Sequence, residues 1–294
     1  MRVRIIAACL VAAAIAATPS RVEAWGFEAH KYIMARAIDL LPVQLRPYFE
    51  ANRAFLVERS IDPDLWRTAG WEEESARHYV DMDAFGAYPF TDLPHDYDAA
   101  VQKFGKDFVQ KNGTLPWRAE EIYKKLVEAF QQKAPYSRDN IRLFSAVIAH
   151  YVGDAQVPLH AAQNHDGQLT QQWGIHSRFE AELFERYRTQ LRVNPKPIGP
   201  VANTRELMFE SLTSGFPYVQ QVLDADRAAT EGREMYDDGY FRLMFVKARS
   251  ILEDRLAESI TRAASVINAA WVEAGRPALP VKAPARLPRK IRRS

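Results

Sequence analysis

Cysteine is almost absent from this chain of 294 residues, because its one cysteine, Cys9, lies close to the amino terminus. No disulfide can therefore form within the chain, and the fold must be held by its core. An apolar run of roughly eighteen residues is also missing, so the sequence predicts no transmembrane helix. Alternating strand patterns joined by Asn-Gly or Asp-Gly hairpins and internal repeats are not found either. Sheet-based and repeat folds are therefore disfavoured.

The first 24 residues have the pattern of a secretory signal peptide. Arg2 and Arg4 precede an apolar stretch, residues 5–17, that is too short to span a bilayer. Ala24 is a suitable residue before the cleavage point, although alanines further upstream offer a rival one. Cys9 resembles a lipidated cysteine only superficially, since the apolar stretch before it is too short. We expect cleavage after Ala24 and export to the periplasm or the medium.

The last residues, 276–294, differ from the rest of the chain in charge. They contain five arginines, two lysines and four prolines but no acidic residue, whereas residues 25–275 are net acidic. This composition is typical of a flexible basic extension. Such a tail could hold the protein near anionic lipid or nucleic acid, or be solvated without a specific role. Residues 25–275 are enough for one large domain.

Apolar residues recur with a helical period through most of this domain. The pattern predicts seven helices, over residues 26–41, 45–59, 116–132, 137–155, 174–191, 204–229 and 239–274. The segments 68–94 and 161–173 lack a clear period and are interpreted as loops. We therefore expect an all-α fold, a single multi-helix domain.

Five of the seven histidines belong to a set that also contains acidic residues. His150 and Asp154 are four residues apart, as are His176 and Glu180, so each pair shares one helix face. Both pairs follow the apolar stripe of their predicted helices, where charge is costly unless it is paired or metal-bound. A single such pair is more often structural. The other histidines of the set, which make a zinc site the better interpretation, are His30, His78 and His160.

In its order and spacing, this set resembles the ligands of the zinc-dependent phospholipase C and single-strand-specific nuclease superfamily. The resemblance covers residues 25 to about 191 and implies three zinc ions per chain. In that family the mature chain begins with tryptophan, whose free amine and carbonyl bind zinc. The nine matching positions are Trp25, His30, Asp64, His78, His150, Asp154, His160, His176 and Glu180.

The resemblance also implies how these ligands are shared. Asp154 would bridge two zinc ions, one bound by Trp25 and His30. The other would be bound by Asp64, His78 and His150. A third zinc would be bound by His160, His176 and Glu180. Asp62 competes with Asp64, but the family spacing of about fourteen residues before His78 favours Asp64.

Phosphodiester hydrolysis is the chemistry that this arrangement implies. A metal-bridging hydroxide would attack the phosphorus, and Asp64 is the candidate general base beside it. Asp154 is also predicted to be catalytic, because it would bridge two of the three zinc ions. The third zinc has only three protein ligands, as catalytic zinc sites do.

Three features favour a phospholipase C over a nuclease. Glu180 is a glutamate, as in the bacterial phospholipases, where the nucleases usually have aspartate. Glu28 matches an acidic residue that faces the choline cation in that family. The disulfides of the fungal nucleases are missing. Two aromatic positions of the family's choline pocket are Leu65 and Ser75 here, so Trp66 or Trp71 would have to supply the aromatic face.

Two alternatives remain open. A nuclease acting on single-stranded nucleic acid or nucleotides would need aromatic platforms and a basic groove, but the only clear basic cluster is the tail. A non-catalytic zinc-binding helical protein would have closed coordination shells. We expect a phospholipid substrate met in transient contact with a membrane surface, and no obligate protein partner. His95 and His165 match no ligand position and are interpreted as loop residues.

Overall fold

The computed structural model describes residues 25–133, 136–279 and residue 281. All regular elements in these ranges are helical, and no strand occurs among them, which confirms the all-α fold. The helices are α1 Phe27–Leu40, α2 Arg46–Ala51, α3 Arg53–Arg59, α4 Asp62–Thr68, α5 Glu72–Ser75, α6 Tyr97–Phe104, α7 Lys106–Lys111, α8 Leu115–Phe130, α9 Ser137–Asp154, α10 Ile175–Ser177, α11 Leu183–Tyr187, α12 Thr204–Gly215, α13 Pro217–Thr230 and α14 Asp238–Glu273. Met82–Ala84 and Pro158–Ala161 are 3-10 turns, and Arg178–Glu182 is a π-helical turn.

The core is organised around α9 and α14. The helix α14 has 36 residues, about 54 Å at 1.5 Å per residue, and it packs against α1, α8, α9 and α13. The helix α9 packs on α1, α3, α8 and α14, and its second half, from Ser145 to Asp154, is buried throughout. Its ligand pair, His150 and Asp154, is therefore enclosed by neighbouring helices on every side.

Two long predicted helices are each interrupted. Residues 45–59 form α2 and α3, which are separated at Asn52. The side chain of Asn52 donates a hydrogen bond to the Tyr48 carbonyl at 2.8 Å and so competes with the helix backbone. Residues 204–229 form α12 and α13, because Pro217 lacks the amide hydrogen that a continuous helix needs.

The short helices α4, α6 and α7 are not among the predicted ones. Each has six to eight residues, too few for an apolar period to stand out. The predicted loop 68–94 also contains α5 and one of the 3-10 turns. The helix predicted over 174–191 ends at Tyr187 and includes the π-helical turn.

The predicted signal peptide, residues 1–24, and residues 280 and 282–294 of the predicted tail lie outside the described residues. The first tail residues are packed rather than free, since the Trp271 indole donates to the Pro277 carbonyl at 2.9 Å. Gln132 also donates to the Ala278 carbonyl at 3.1 Å. Among the helices of the described ranges, none combines the length and the apolar character that a membrane span requires.

Candidate metal centre

Five predicted ligands meet at the carboxyl end of α9, and we call them the Asp154 cluster. They come from α1, α4, α9 and the segment after α5: His30, Asp64, His78, His150 and Asp154. All five side chains are buried, with at most 3% of their surface exposed. The ligand atoms of His30, Asp64 and His150 lie within 4.8 Å of one another, and so do those of His78, His150 and Asp154. The structure thus brings together residues that are far apart in sequence.

The carboxylate of Asp154 is central to this cluster. Its Oδ1 lies 3.3 Å from His30 Nε2, and its Oδ2 lies 3.0 Å from His78 Nδ1 and 3.2 Å from His150 Nε2. The nitrogens of His78 and His150 are 3.1 Å apart. Two nitrogens bound to one tetrahedral zinc ion are separated by about 3.3 Å, given zinc–nitrogen bonds of roughly 2.0–2.1 Å. The spacing therefore suits a shared metal.

Three further ligands form a second group, which we call the Glu180 cluster. His160 lies on a 3-10 turn, and His176 and Glu180 lie on the segment 175–187. His160 Nε2 and His176 Nε2 are 2.9 Å apart, and Glu180 Oε1 is 3.0 Å from His176 Nε2. Glu180 Oε2 is 3.7 Å from His160 Nε2. All three side chains are buried, so their polar atoms have little contact with water.

Two backbone carbonyls fix the orientation and the tautomer of the His150 and His160 rings. His150 Nδ1 donates to the Ser60 carbonyl at 2.8 Å, and His160 Nδ1 donates to the His78 carbonyl at 2.7 Å. A neutral imidazole that donates through Nδ1 has its free lone pair at Nε2. In both residues Nε2 is the atom that faces the other ligands, so the tautomer suited to metal binding is selected.

Several buried polar atoms of the Asp154 cluster have no hydrogen-bond partner. They include both ring nitrogens of His30, Asp64 Oδ2 and Asp154 Oδ1, since the 3.3 Å approach of His30 Nε2 to Asp154 Oδ1 lacks hydrogen-bond geometry. Buried polar atoms are rarely left in this state, because losing water without a replacement costs about 1–3 kcal/mol each. Metal ions would satisfy them, so the residues present fit a metal site.

The electrostatics keep most of these histidines in their neutral, metal-binding form. Burial lowers the pKa of His160 to about 4. Burial and the neighbouring His160 hold the pKa of His176 well below its usual value. His150 differs, because burial is outweighed by the charge of Asp154 and the hydrogen bond to it, together with Asp64 and the Ser60 carbonyl, so its pKa is raised. The three histidines around Asp154 in turn outweigh burial there and hold its pKa well below the ordinary range.

The start of the described chain reaches the Asp154 cluster. The Trp25 ring is wholly buried, and its indole nitrogen donates to the Gly153 carbonyl at 2.8 Å, one residue before Asp154. Gly26 makes this approach feasible, because a Cβ there would lie only 2.6 Å from the Cβ of Ala181. Trp25 is thus next to the site. Whether its main-chain amine and carbonyl bind a metal stays a prediction.

Glu28 lies outside this group. Its half-exposed carboxylate is 3.7 Å from the Lys31 ammonium and 3.6 Å from the Arg188 guanidinium. It does not line the cavity beside the metal ligands, so the structure adds no support for a contact with substrate. Asp62, the competitor of Asp64, pairs with Arg59 at 3.5 Å and is not a member of either cluster.

A cavity of about 130 Å³ lies where the two clusters meet. It is lined by Arg67, Ser75, His78, Tyr79, Leu159, His160, His165 and His176. Arg67 Nη2 donates to Asp64 Oδ1 at 3.1 Å, and its buried Nε has no hydrogen-bond partner. Trp66 and Trp71 pack against each other, with ring centres 5.8 Å apart, and neither lines the cavity.

Sequence reasoning missed Arg67 and His165 as site residues. Arg67 could have been found from its position three residues after Asp64, which places both on one face of α4. His165 carries no such signal, because it lies on a loop and meets His176 only through the fold, with ring centres 6.2 Å apart. His95 lies elsewhere, paired with Glu206 at 2.6 Å.

No family model and no curated protein matches this sequence. Buried imidazole and carboxylate groups in two adjoining clusters could hold metal ions, and a cavity gives access to both clusters.

Proposed function

We propose that this protein is a zinc-dependent phosphodiester hydrolase of the phospholipase C type. The observation that carries the proposal is the convergence of two buried ligand clusters and an arginine on one cavity. His78 of the Asp154 cluster, His160 of the Glu180 cluster and Arg67 all line it. A phosphate group in this cavity would contact both clusters and the guanidinium.

Three zinc ions are the cofactors we propose. One zinc ion would be held by Trp25 and His30, and a second by Asp64, His78 and His150. Asp154 would be shared between these two. The Glu180 cluster would hold the third. Zinc suits this mixture of imidazole and carboxylate ligands. When bound, it supplies Lewis-acid activation of water and neutralises charge on the phosphate.

Residues of the chain would orient the phosphate and accept a proton. The buried Nε of Arg67 has no partner and can donate to a phosphate oxygen. Its Nη2 holds Asp64 through Oδ1, which leaves Asp64 Oδ2 as the candidate proton acceptor. The buried surroundings of Asp64 strengthen these charge interactions by excluding water.

The size of the cavity supports a small reacting group. Its volume of about 130 Å³ is well below the roughly 300 Å³ at which pockets begin to enclose a whole drug-sized ligand. We infer that it takes the phosphate and leaves the two esterified groups outside. A nucleobase would then have no enclosed site.

Exposed apolar side chains occur on the two chain segments that contribute Arg67 and His165 to the cavity, and they support a lipid as substrate. Leu65 and Trp71 are on the segment that carries Arg67, and they are 41% and 50% exposed. Leu169 and Trp173, which are 70% and 64% exposed, follow His165. Apolar and aromatic side chains of this kind can enter the interface of a bilayer. We also propose that the protein is exported and contacts a membrane surface.

The experiment is a paired assay of the protein beginning at Trp25. Hydrolysis of phosphatidylcholine vesicles and of single-stranded DNA is measured with and without chelator, and again after zinc is restored. We expect chelator-sensitive release of phosphocholine that exceeds DNA cleavage. The reverse preference would favour the nuclease alternative, and inactivity on both substrates would favour a non-catalytic zinc protein.

Two aspartates of α4 provide a matched control. Asp64 and Asp62 are both buried, but only Asp64 belongs to the Asp154 cluster. Asp64→Asn should lower turnover by about 100-fold or more, because it loses a ligand and the proposed proton acceptor. Asp62→Asn should leave turnover near the wild-type rate. Equal losses in both variants would contradict the role of Asp64.

A further inference from the structure

The segment 175–187, which carries His176 and Glu180, is not a regular α-helix. One α-helical turn, Ile175–Ser177, leads into the π-helical turn Arg178–Glu182 before α-helix resumes. Gly174 precedes it in the left-handed conformation, with φ of +80°, which other residues rarely adopt. Such π-helical turns are uncommon and are frequent at functional sites. The relative placement of the two ligands therefore needs support from outside the segment.

Arg178 lies between the two ligands in sequence and is buried, with 4% exposure. Its Nε donates to the Tyr240 hydroxyl at 2.9 Å, and its Nη1 donates to the Trp173 carbonyl at 2.6 Å. Its Nη2 donates to Asp226 Oδ1 at 3.0 Å, and the guanidinium lies 3.8 Å from the centre of the Tyr236 ring. One side chain thus joins the π-helical turn to α13, α14 and the chain before α10.

Asp226 completes this buried network. It accepts a hydrogen bond from the Tyr240 hydroxyl and another from Gln172 Nε2 at 2.7 Å. Gln172 also accepts from Arg178 Nη2 through its backbone carbonyl, at 3.2 Å. The residues that enter the ligand segment are therefore fixed by the same carboxylate that fixes Arg178.

A buried ion pair with this many partners contributes less to net stability than to fixing one arrangement of the elements it joins. We propose that Arg178, held by Asp226 and Tyr240, is a positioning residue for the Glu180 cluster. Without it, His176 and Glu180 lose their register against His160. This inference rests on the proposed function only in that the Glu180 cluster binds a zinc ion.

The test is the zinc content and zinc affinity of the full protein and its variants. Arg178→Gln should lose one zinc ion, or bind it about 10–100-fold more weakly, while the Asp154 cluster keeps its metal. Arg178→Lys keeps the charge but not the planar fork, so its affinity should be intermediate. Competition with a chelator, read by elemental analysis, measures both.

Arg262→Gln is the matched control. Arg262 lies on α14. Like Arg178 it donates hydrogen bonds to other elements, to the Leu207 carbonyl at 3.2 Å and to Ser211 Oγ at 2.9 Å, but it touches no metal ligand. This variant should have a lower melting temperature with unchanged zinc content. If it lost the same zinc ion as Arg178→Gln, the effect would come from general destabilisation and the positioning role would be wrong.

A double variant separates positioning from folding. Arg178→Met with Asp226→Leu removes both charges, so no buried charge is left without its partner, and the fold should be retained. We still expect this variant to lack the zinc of the Glu180 cluster. Wild-type zinc affinity in any folded Arg178 variant would overturn the inference, as would loss of the helical signal in all of them. A wild-type protein that binds no zinc would instead overturn the proposed function.

Discussion

The two ligand clusters are supported in different ways. The Asp154 cluster takes its central ligands from α1 and α9, helices of 14 and 18 residues that pack in the middle of the core. The Glu180 cluster takes its ligands from one 3-10 turn and from a helical segment interrupted by a π-helical turn. Apolar packing thus holds the first, whereas a buried polar network supports the second. The Glu180 cluster should therefore be easier to disrupt without affecting the Asp154 cluster.

A short backbone connection joins the clusters. The His78 carbonyl accepts from His160 Nδ1 at 2.7 Å, and the Val80 amide donates to the His160 carbonyl at 3.0 Å. His78 belongs to the Asp154 cluster and its carbonyl orients His160, so loss of the Asp154 cluster should affect the metal positions of both clusters. Loss of the Glu180 cluster should affect only its own.

Asp154→Asn is expected to have the largest effect. The substitution removes a carboxylate that lies within 3.3 Å of three histidines, so two metal positions lose a ligand. Turnover should fall by more than about 100-fold, since residues that merely support a ligand already account for about 10–100-fold. Elemental analysis and initial rates check this. Retention of wild-type zinc and activity would mean that Asp154 is not shared.

Glu180→Gln should have a smaller effect that is confined to one cluster. We expect loss of one zinc ion and a fall in turnover of about 100-fold, the upper end of what residues that only support a ligand cause, with the Asp154 cluster still loaded. Glu182→Gln is the control, because Glu182 is on the same π-helical turn but is 40% exposed and pairs with Arg186. Loss of all zinc in Glu180→Gln would show that the two clusters cannot be separated.

Removal of metal should lower stability without unfolding the protein. Zinc at about 100 times its dissociation constant stabilises the folded state by about 2.7 kcal/mol for each site. We expect chelator to lower the melting temperature by several degrees and to leave the far-ultraviolet helical signal in place at 25 °C. An unchanged melting temperature would argue against bound metal.

Asp81→Asn, in the segment that joins the two clusters, should have the smallest effect. Burial, aided by the charge of Asp83, raises the pKa of Asp81 from 3.8 to about 7. Between these values the folded chain keeps a proton that the unfolded chain has lost, so stability falls as pH rises from about 4 to 7. Asp81→Asn should remove this penalty, raising the melting temperature at pH 8 but not at pH 4. Glu128→Gln, on the exposed side of α8, should change neither value.

The strongly periodic helices could be predicted from sequence, because α1, α8, α9 and α14 each bury a continuous apolar stripe. The breaks within two predicted helices could not be predicted, since each depends on a single residue, Asn52 or Pro217. The eight predicted imidazole and carboxylate ligands do converge in the two clusters, because i,i+4 pairs mark a helix face. The metals themselves and the substrate remain predictions.

Residues whose partners lie far away in the chain could not be recognised from the sequence pattern. Arg178 meets Asp226 and Tyr240, which are 48 and 62 positions away in the chain. Glu28 illustrates the reverse case, because its spacing from Trp25 suggested a substrate contact while its nearest cations are Lys31 and Arg188. Spacing reports which residues share a helix face, but not which helices become neighbours.

The contacts of the Asp154 cluster also bear on how the chain folds. Trp25 and Gly153 are 128 positions apart, His150 and Ser60 are 90 apart, and His78 and Asp154 are 76 apart. Such non-local contacts raise the contact order of an otherwise helical protein and slow its folding, because large loops must close first. We therefore expect the ligands to assemble late, after α1 and α9 have docked. A metal ion would then bind to a nearly folded chain rather than to an unfolded one.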